Sequence, residues 1–326
     1  KDPHIVDITF PYTKDFKKEL HIPKDALYKG KPRSRIAYLC ASKRMDWEPV
    51  AWTEFDGKNI VFTDIQKGPV MRVATYERGR LRFWTDPFEI NVSNEFHFFT
   101  PSDSVQDVTL FAKYTLRADE MFLNRMIGGT FEGSNDPDFR EKEVLYLINE
   151  KPKRLQTVVQ SYSSKSYRYV RYIGPKDSHC NIAEAAFYTP NDTASLKGKV
   201  IGTPGCFQKD GSHEYTNVFD GDVTTSFDYI EPSGGWSGLD LGTPKQIGRI
   251  VYTPRSYDNY IRSGDDYELF YCARRNNWKS LGDQRSKADS LIYIKIPVNA
   301  LLLLCNNTRG IQERIFVYTA AEQIWK

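Results

Sequence analysis

Between Asn217 and Tyr271 the chain passes through four short devices whose order leaves little room for anything but antiparallel sheet. The first is a carboxylate-rich turn, Asp220-Gly221-Asp222 followed by Thr225. Hard oxygens at this density suit an Asx-type turn or a calcium ion. The second is an apolar run that starts at Trp236 and stops at Leu241-Gly242. The third, Lys245–Arg255, alternates Ile247, Arg249 and Val251 with Ile250 and Tyr252, the two-residue period of a strand. The fourth, Tyr267–Tyr271, is a strand entered through Gly264.

Strand signals dominate elsewhere too. His4–Phe10, Arg35–Ala41, Pro49–Phe55, Asn59–Ile65, Val70–Glu77 and Arg80–Trp84 are short apolar or alternating runs. Asp56-Gly57 and Arg78-Gly79 lie between pairs of them and read as hairpin turns. Six strands in so short a stretch predict a small antiparallel sandwich over residues 1–105. Gln106–Arg117 followed by Gly128–Asn135 has the layout of Lys245–Arg255 followed by Asp265–Cys272, and Tyr167–Tyr188 parallels Ala300–Tyr318. In the second pair an apolar strand leads through a polar turn to Glu184 or Glu313, then to a strand ending in Tyr. The pattern predicts an internal duplication: a partial unit over 106–189, a polar linker at Thr189–Lys199, and a complete unit over 195–326. Helix is confined to a weak signal at Ala118–Met126.

Taken in order, Asn217–Tyr271 resembles the F5/8 type C (discoidin-like) domain, a β-sandwich of the galactose-binding-like class. The expected fold is therefore all-β, tandem β-sandwiches with the last a discoidin-like jelly roll. The resemblance implies a binding module for sugars, glycoconjugates or lipid surfaces rather than an enzyme. It also implies a structural Ca2+, with oxygens from Asp220, Asp222 and Thr225 on one side and the Glu313 carboxylate on the other. Phe227 and Trp236 match the family's buried aromatics. The ending LLLLCNNTRGIQERIFVY with the tail Glu322-Gln323-Ile324-Trp325 is similar to the C-terminal region of secreted multidomain proteins of Bacteroidetes. Some of those carry a transglutaminase-like domain upstream, so a catalytic partner domain in the same polypeptide is expected.

Ligand contact should fall to loops at one end of the sandwich. The richest is Thr253–Arg262, with Arg255, Tyr257, Asp258, Asn259, Tyr260 and Arg262. Tyrosine faces stack on the apolar face of a pyranose, and Arg, Asp and Asn each reach neighbouring hydroxyls. A packed loop with Arg255 paired to Asp258 or Asp265 is the competing reading. Tyr229 is a further stacking candidate, and Asn306, Thr308 and Arg309 form a secondary polar turn.

Other classes find less support. With 45 basic and 42 acidic residues, scattered along the chain, nothing points to nucleic acid. No apolar run is long enough to span a membrane as a helix. The opening KDPHIVDITF is not a signal peptide and reads as part of a longer protein, expected to be secreted, periplasmic or at the cell surface. Five cysteines, Cys40, Cys180, Cys206, Cys272 and Cys305, lack zinc spacing, and the sequence leaves a Cys272–Cys305 bridge open. No HExxH, GxSxG, P-loop or GxGxxG occurs. His179 and Cys180, if on a strand, point to opposite faces and form no catalytic pair. The expected function is a non-catalytic carbohydrate-binding region. The alternatives are a glycan- or glycopeptide-active hydrolase or transferase, whose paired carboxylates the sequence does not mark, and a spacer or protein-adhesion module.

Overall fold

The structure, a computed structural model, describes residues 16–326 except 31–32, 43, 56–58, 115–116, 257–258, 276–277 and 311–313; for Phe16 and residues 117–120 it describes the backbone alone. The expected strand His4–Phe10 and the Asp56-Gly57 turn lie outside the described residues. The rest is built almost wholly of antiparallel strands, with one α-helix, Arg117–Asn124, and two 3-10 turns among the described residues. Among the described residues no helix is long and apolar enough to cross a membrane.

The chain divides into two compact units. One is continuous, Thr115–Tyr260. Its first sheet has the order Lys142–Leu147, Thr130–Ser134, Ser166–Ile173, Trp236–Gln246, Lys199–Gly202. Its second has the order Thr157–Gln160, Arg249–Pro254, Ile182–Tyr188. The two meet face to face through aromatic rings. Phe131 of the first sheet lies 5.4 Å from Tyr252 and 6.0 Å from Phe187 of the second, centroid to centroid. Val170, Ile250, Val218 and Phe227 complete that core. The close approach of strands fixes one glycine: a Cβ on Gly238 would stand 2.2 Å from the Val170 carbonyl oxygen.

The other unit joins the described part of Lys1–Tyr114 to Ile261–Lys326. Its N-terminal sheet runs Glu48–Glu54, Ile36–Ser42, Val70–Glu77, Phe88–Ile90, Phe96–Phe98, with Arg80–Phe83 also on Val70–Glu77. Val70–Glu77 is buried over its first six residues because neighbours cover both its edges, whereas Glu48–Glu54 at the edge is mostly exposed. The Arg78-Gly79 turn behaves as expected. Both residues take positive φ, +52° and +75°, the left-handed pair whose twist matches the flanking strands. The C-terminal sheet runs Trp278–Arg285, Asp266–Cys272, Leu302–Asn306, Ile315–Thr319, Glu322–Trp325. Two further pairs, Phe16–His21 with Val61–Gln66 and Val105–Leu110 with Leu291–Pro297, complete the unit. One apolar cluster binds the distant chain segments together: Cys40, Val70, Ala74 and Phe83 pack with Cys272, Leu301, Leu303 and Ile315.

These units differ from the boundaries expected at 1–105, 106–189 and 195–326, and the ladders give the reason. Arg249–Pro254 pairs with both Thr157–Gln160 and Ile182–Tyr188, so the supposed partial and complete copies share one sheet. The stretch Thr189–Lys199 is a turn within the sandwich, its Leu196 N–H donating to Phe187 O at 2.7 Å, rather than a linker. The parallel stretches are also used differently. Leu302–Asn306 and Ile315–Thr319 pair with each other, whereas Ser166–Ile173 and Ile182–Tyr188 enter different sheets. The strand from Trp236 does not stop at Leu241-Gly242; it bulges there and resumes pairing at Lys245.

All five cysteines are free thiols, four of them buried. Cys305 pairs with Glu268 while Cys272 sits four residues further along the same strand, roughly 13 Å away at strand rise, too far for a disulfide. His179 and Cys180 are not on a strand; both adopt positive φ, 56° and 55°, in a turn.

Candidate functional site

Two clusters of the sandwich unit gather the chemistry. The first is the acidic turn. The 3-10 turn Tyr215–Phe219 ends at Asp220, and Gly221 takes φ +84°, which a glycine adopts without strain. The backbone then folds onto its own carboxylates. Asp220 Oδ1 accepts from the Asp222 N–H at 2.7 Å, and Asp222 Oδ1 accepts from the Thr224 N–H and hydroxyl at 2.9 and 2.6 Å. The Thr225 hydroxyl donates to Asp220 Oδ2 at 2.8 Å. Asx-turn chemistry read from the sequence is therefore present.

The carboxylate that faces this turn is Glu184. Its Oε1 accepts from the Gly221 N–H at 2.9 Å, and the Asp220 carboxylate lies close enough to act on it. Burial first, and the neighbouring Asp220 second, push the Glu184 carboxyl up to about 8. Glu313, expected in this role, lies outside the described residues. Among the described residues no group of three or more His, Cys, Asp and Glu side chains could hold a metal ion, so a cation here would rest on two carboxylates with hydroxyl and carbonyl oxygens.

The second cluster is a chain of polar side chains at loop ends. Arg255 Nη1 donates to Asp228 Oδ2 at 2.7 Å. Asn181 Nδ2 donates to Asp228 Oδ1 at 2.5 Å, and Arg125 Nη1 donates to Asn181 Oδ1 at 3.0 Å. The Arg255 guanidinium also lies 4.3 Å from the Phe122 ring centroid. Arg255 and Asp228 are each 12% exposed, so the pair is mostly withdrawn from water. Tyr229 follows directly, half-buried, its N–H donating to His179 O at 2.7 Å and its carbonyl 2.9 Å from His179 Nδ1.

The expected ligand loop Thr253–Arg262 is thus partly scaffold. Arg255 pairs with Asp228, and Asp265 with Arg309. Asn259 and Tyr260 are buried at 4% and 2% exposure. Arg262 belongs to the other unit, where its N–H donates to the Tyr267 hydroxyl at 2.9 Å. Tyr257 and Asp258 lie outside the described residues. Asn306 and Arg309 close on Asp265, at 2.9 and 2.6 Å, and Thr308 accepts from the Asp266 N–H, so that turn too is framework. Phe227 is fully buried as expected, whereas Trp236 is half-buried beside Arg171 and Phe139.

Sequence reasoning missed Arg125, Asn181 and Asp228 because they are single polar residues far apart in the chain. Glu184 was visible as the counterpart of Glu313, but assigning it to a separate copy hid its partner turn. Compared with protein-family models, curated proteins and solved structures, the chain matches none.

Proposed function

We propose that Thr115–Tyr260 is a non-catalytic carbohydrate-binding module of the discoidin-like kind within a larger secreted or cell-surface protein. The observation that carries this reading is the pre-set polar chain Arg125–Asn181–Asp228–Arg255 with Tyr229 at its end. Side chains held by one another in this way offer hydroxyl-binding groups without a large ordering cost, and a tyrosine beside them offers a stacking face. The sugar then stacks on Tyr229, which the buried polar chain holds in place. A glycan array followed by calorimetry tests this. Binding that disappears in Tyr229→Ala while the fold persists supports it; silence across animal, plant and bacterial glycans removes it.

A structural calcium ion belongs to the same reading. Glu184 and Asp220 would hold it, with Thr225 and carbonyl oxygens of the turn. The Glu184 and Asp220 carboxylates lie close enough for one charge to act on the other, a repulsion that a divalent cation would relieve. Calcium should raise the melting temperature of chelator-treated protein, and an unchanged melt would remove the ion.

A glycan hydrolase remains the alternative. Its acid and base would be two carboxyl groups about 5 Å or more apart with the substrate between them, whereas the Glu184 and Asp220 oxygens already accept from the turn's own N–H and hydroxyl donors. Turnover of nitrophenyl glycosides by this chain would favour it.

A further inference from the structure

The discontinuous unit carries a cleft that the sandwich reading does not use. Its volume is about 920 Å³, within the usual range for small-ligand pockets. One wall is the 3-10 turn Lys24–Ala26 with Leu27, Tyr28 and Lys29; the other is Ala273–Arg275 with Lys279. Arg275 ties the walls together, donating from Nη2 to Lys29 O at 2.9 Å, with its guanidinium 5.6 Å from the Tyr28 ring centroid. The Tyr28 N–H donates to Trp84 O at 2.8 Å, which anchors that wall to the sheet. The cleft is therefore formed before any ligand arrives.

The floor is a satisfied acidic node. Asp86, 8% exposed, accepts from the Tyr28 hydroxyl and from the Thr100 hydroxyl at 2.7 Å, and Arg274 Nε stands 3.7 Å from it. Behind the floor lies Arg72, fully buried. Its Nε donates to Thr85 O at 3.0 Å and its Nη1 to Cys272 Sγ at 3.4 Å, and its guanidinium sits 4.1 Å from the Phe83 ring centroid. Its Nη2 has no hydrogen-bond partner, and no ion pair to a carboxylate is formed among the described residues. At Tyr28 in the cleft wall the negative Asp86 charge opposes that of Arg72, which is positive.

The lining has the same sign. Lys29, Arg274, Arg275 and Lys279 outnumber Asp25 and Asp86, and Asp86 is already committed to its own partners. Between the cations lie the aromatic faces of Tyr28, Phe98 and Tyr271. Cations suit carboxylate or sulfate groups, arginine best of all by its paired donors, while aromatic faces suit the C–H face of a pyranose. We propose that this cleft binds an acidic oligosaccharide, recognising a uronate or sulfate group on a sugar ring stacked against Tyr28. The site is independent of the one in Thr115–Tyr260.

Calorimetry on the full chain tests it with four probes: an unsulfated hexuronate–hexosamine disaccharide, its sulfated counterpart, the neutral disaccharide lactose, and inorganic sulfate as competitor. At least one acidic disaccharide should bind, and the binding should weaken as salt rises. Whichever of the two binds more tightly identifies carboxylate or sulfate as the recognised group. The double variant Arg274→Ala, Lys279→Ala should weaken it roughly tenfold or more, while Tyr229→Ala leaves it unchanged. Both cations are exposed, so the variant should keep the parent's melting temperature; if it does not, Arg274→Gln alone reads the same loss. No heat from either acidic disaccharide, equal binding of lactose, full competition by sulfate at the disaccharide's own concentration, or undiminished binding in the variants would each overturn the proposal.

Discussion

Glu184 and Gly221, 37 positions apart in sequence, are joined by a hydrogen bond: the Gly221 N–H donates to Glu184 Oε1 at 2.9 Å and holds that carboxyl beside Asp220. The carboxyl so held has a thermodynamic signature. Glu184 is raised to about 8 in the folded chain, against an ordinary value near 4.5. A group raised on folding contributes stability that is fully present below its unfolded value and is lost as pH rises through its folded value. In chelator-containing buffer the parent should therefore lose stability relative to Glu184→Gln between about pH 4.5 and 8, with no further change above. Thermal melts of both proteins across pH 5–9 check this; a constant difference would mean that Glu184 does not titrate in this range.

Arg255→Ala should behave as a scaffold mutation. It leaves Asp228 buried with its charge uncompensated, a loss of about 3 kcal/mol for a broken buried pair, or a fall of roughly 6–12 °C in Tm. Differential scanning calorimetry measures it. An unaltered melt would return Arg255 to the ligand candidates.

Arg171 and Glu132 form a second withdrawn pair, 2.7 Å apart, with Lys142 on the other carboxylate oxygen at 2.9 Å. Arg171 is further held 4.0 Å from the Phe139 ring centroid. Glu132→Ala strands the guanidinium and should cost about 3–5 kcal/mol in chemical denaturation, and adding Arg171→Leu should recover part of that loss. Equal destabilisation by the single and double variants would show that packing, not charge, holds this corner.

Phe131 touches Tyr172 on the neighbouring strand and, across the sandwich, Phe187 and Tyr252. Phe131→Ala empties the centre of that core and should cost about 3–5 kcal/mol, read from the midpoint of urea unfolding. A loss under about 1 kcal/mol would mean that the two sheets do not rely on this ring.

The thiols make a labelling prediction. Burial pushes Cys40 and Cys180 up to about 12 and Cys272 to about 11, and thiolate is the reactive form. Brief maleimide treatment of native protein near neutral pH should modify Cys305, the one cysteine that is not buried, and all five should react in denaturant. Peptide mass spectrometry reads the sites.

Local chemistry was legible in the sequence, and partnership was not. Val70–Glu77 begins and ends where its alternation does, and Arg78-Gly79 turns as its residues require. The acidic turn likewise follows from Asp and Thr spacing alone. Which strand lies beside Arg249–Pro254 is a different kind of question, because a period of two says which residues share a face and nothing about the neighbour. Stretches with one apolar rhythm, Gln106–Arg117 and Lys245–Arg255, were therefore read as copies, although the ladders place them in different sheets. The same gap hid Asp228 from Arg255 and Glu184 from Asp220: each pair forms through a fold that brings distant loops to one place.

The chain order of the discontinuous unit has a consequence for biosynthesis. The Ile261 N–H donates to Phe111 O at 3.0 Å, so the segments entering and leaving the inserted sandwich are held together. During synthesis the sandwich emerges complete while the apolar faces around Cys40, Val70 and Phe83 still await Leu301, Leu303 and Ile315. A ribosome stalled past the sandwich would thus display a finished module on an unfinished base, and the stretch up to Tyr114 is where a chaperone would be needed.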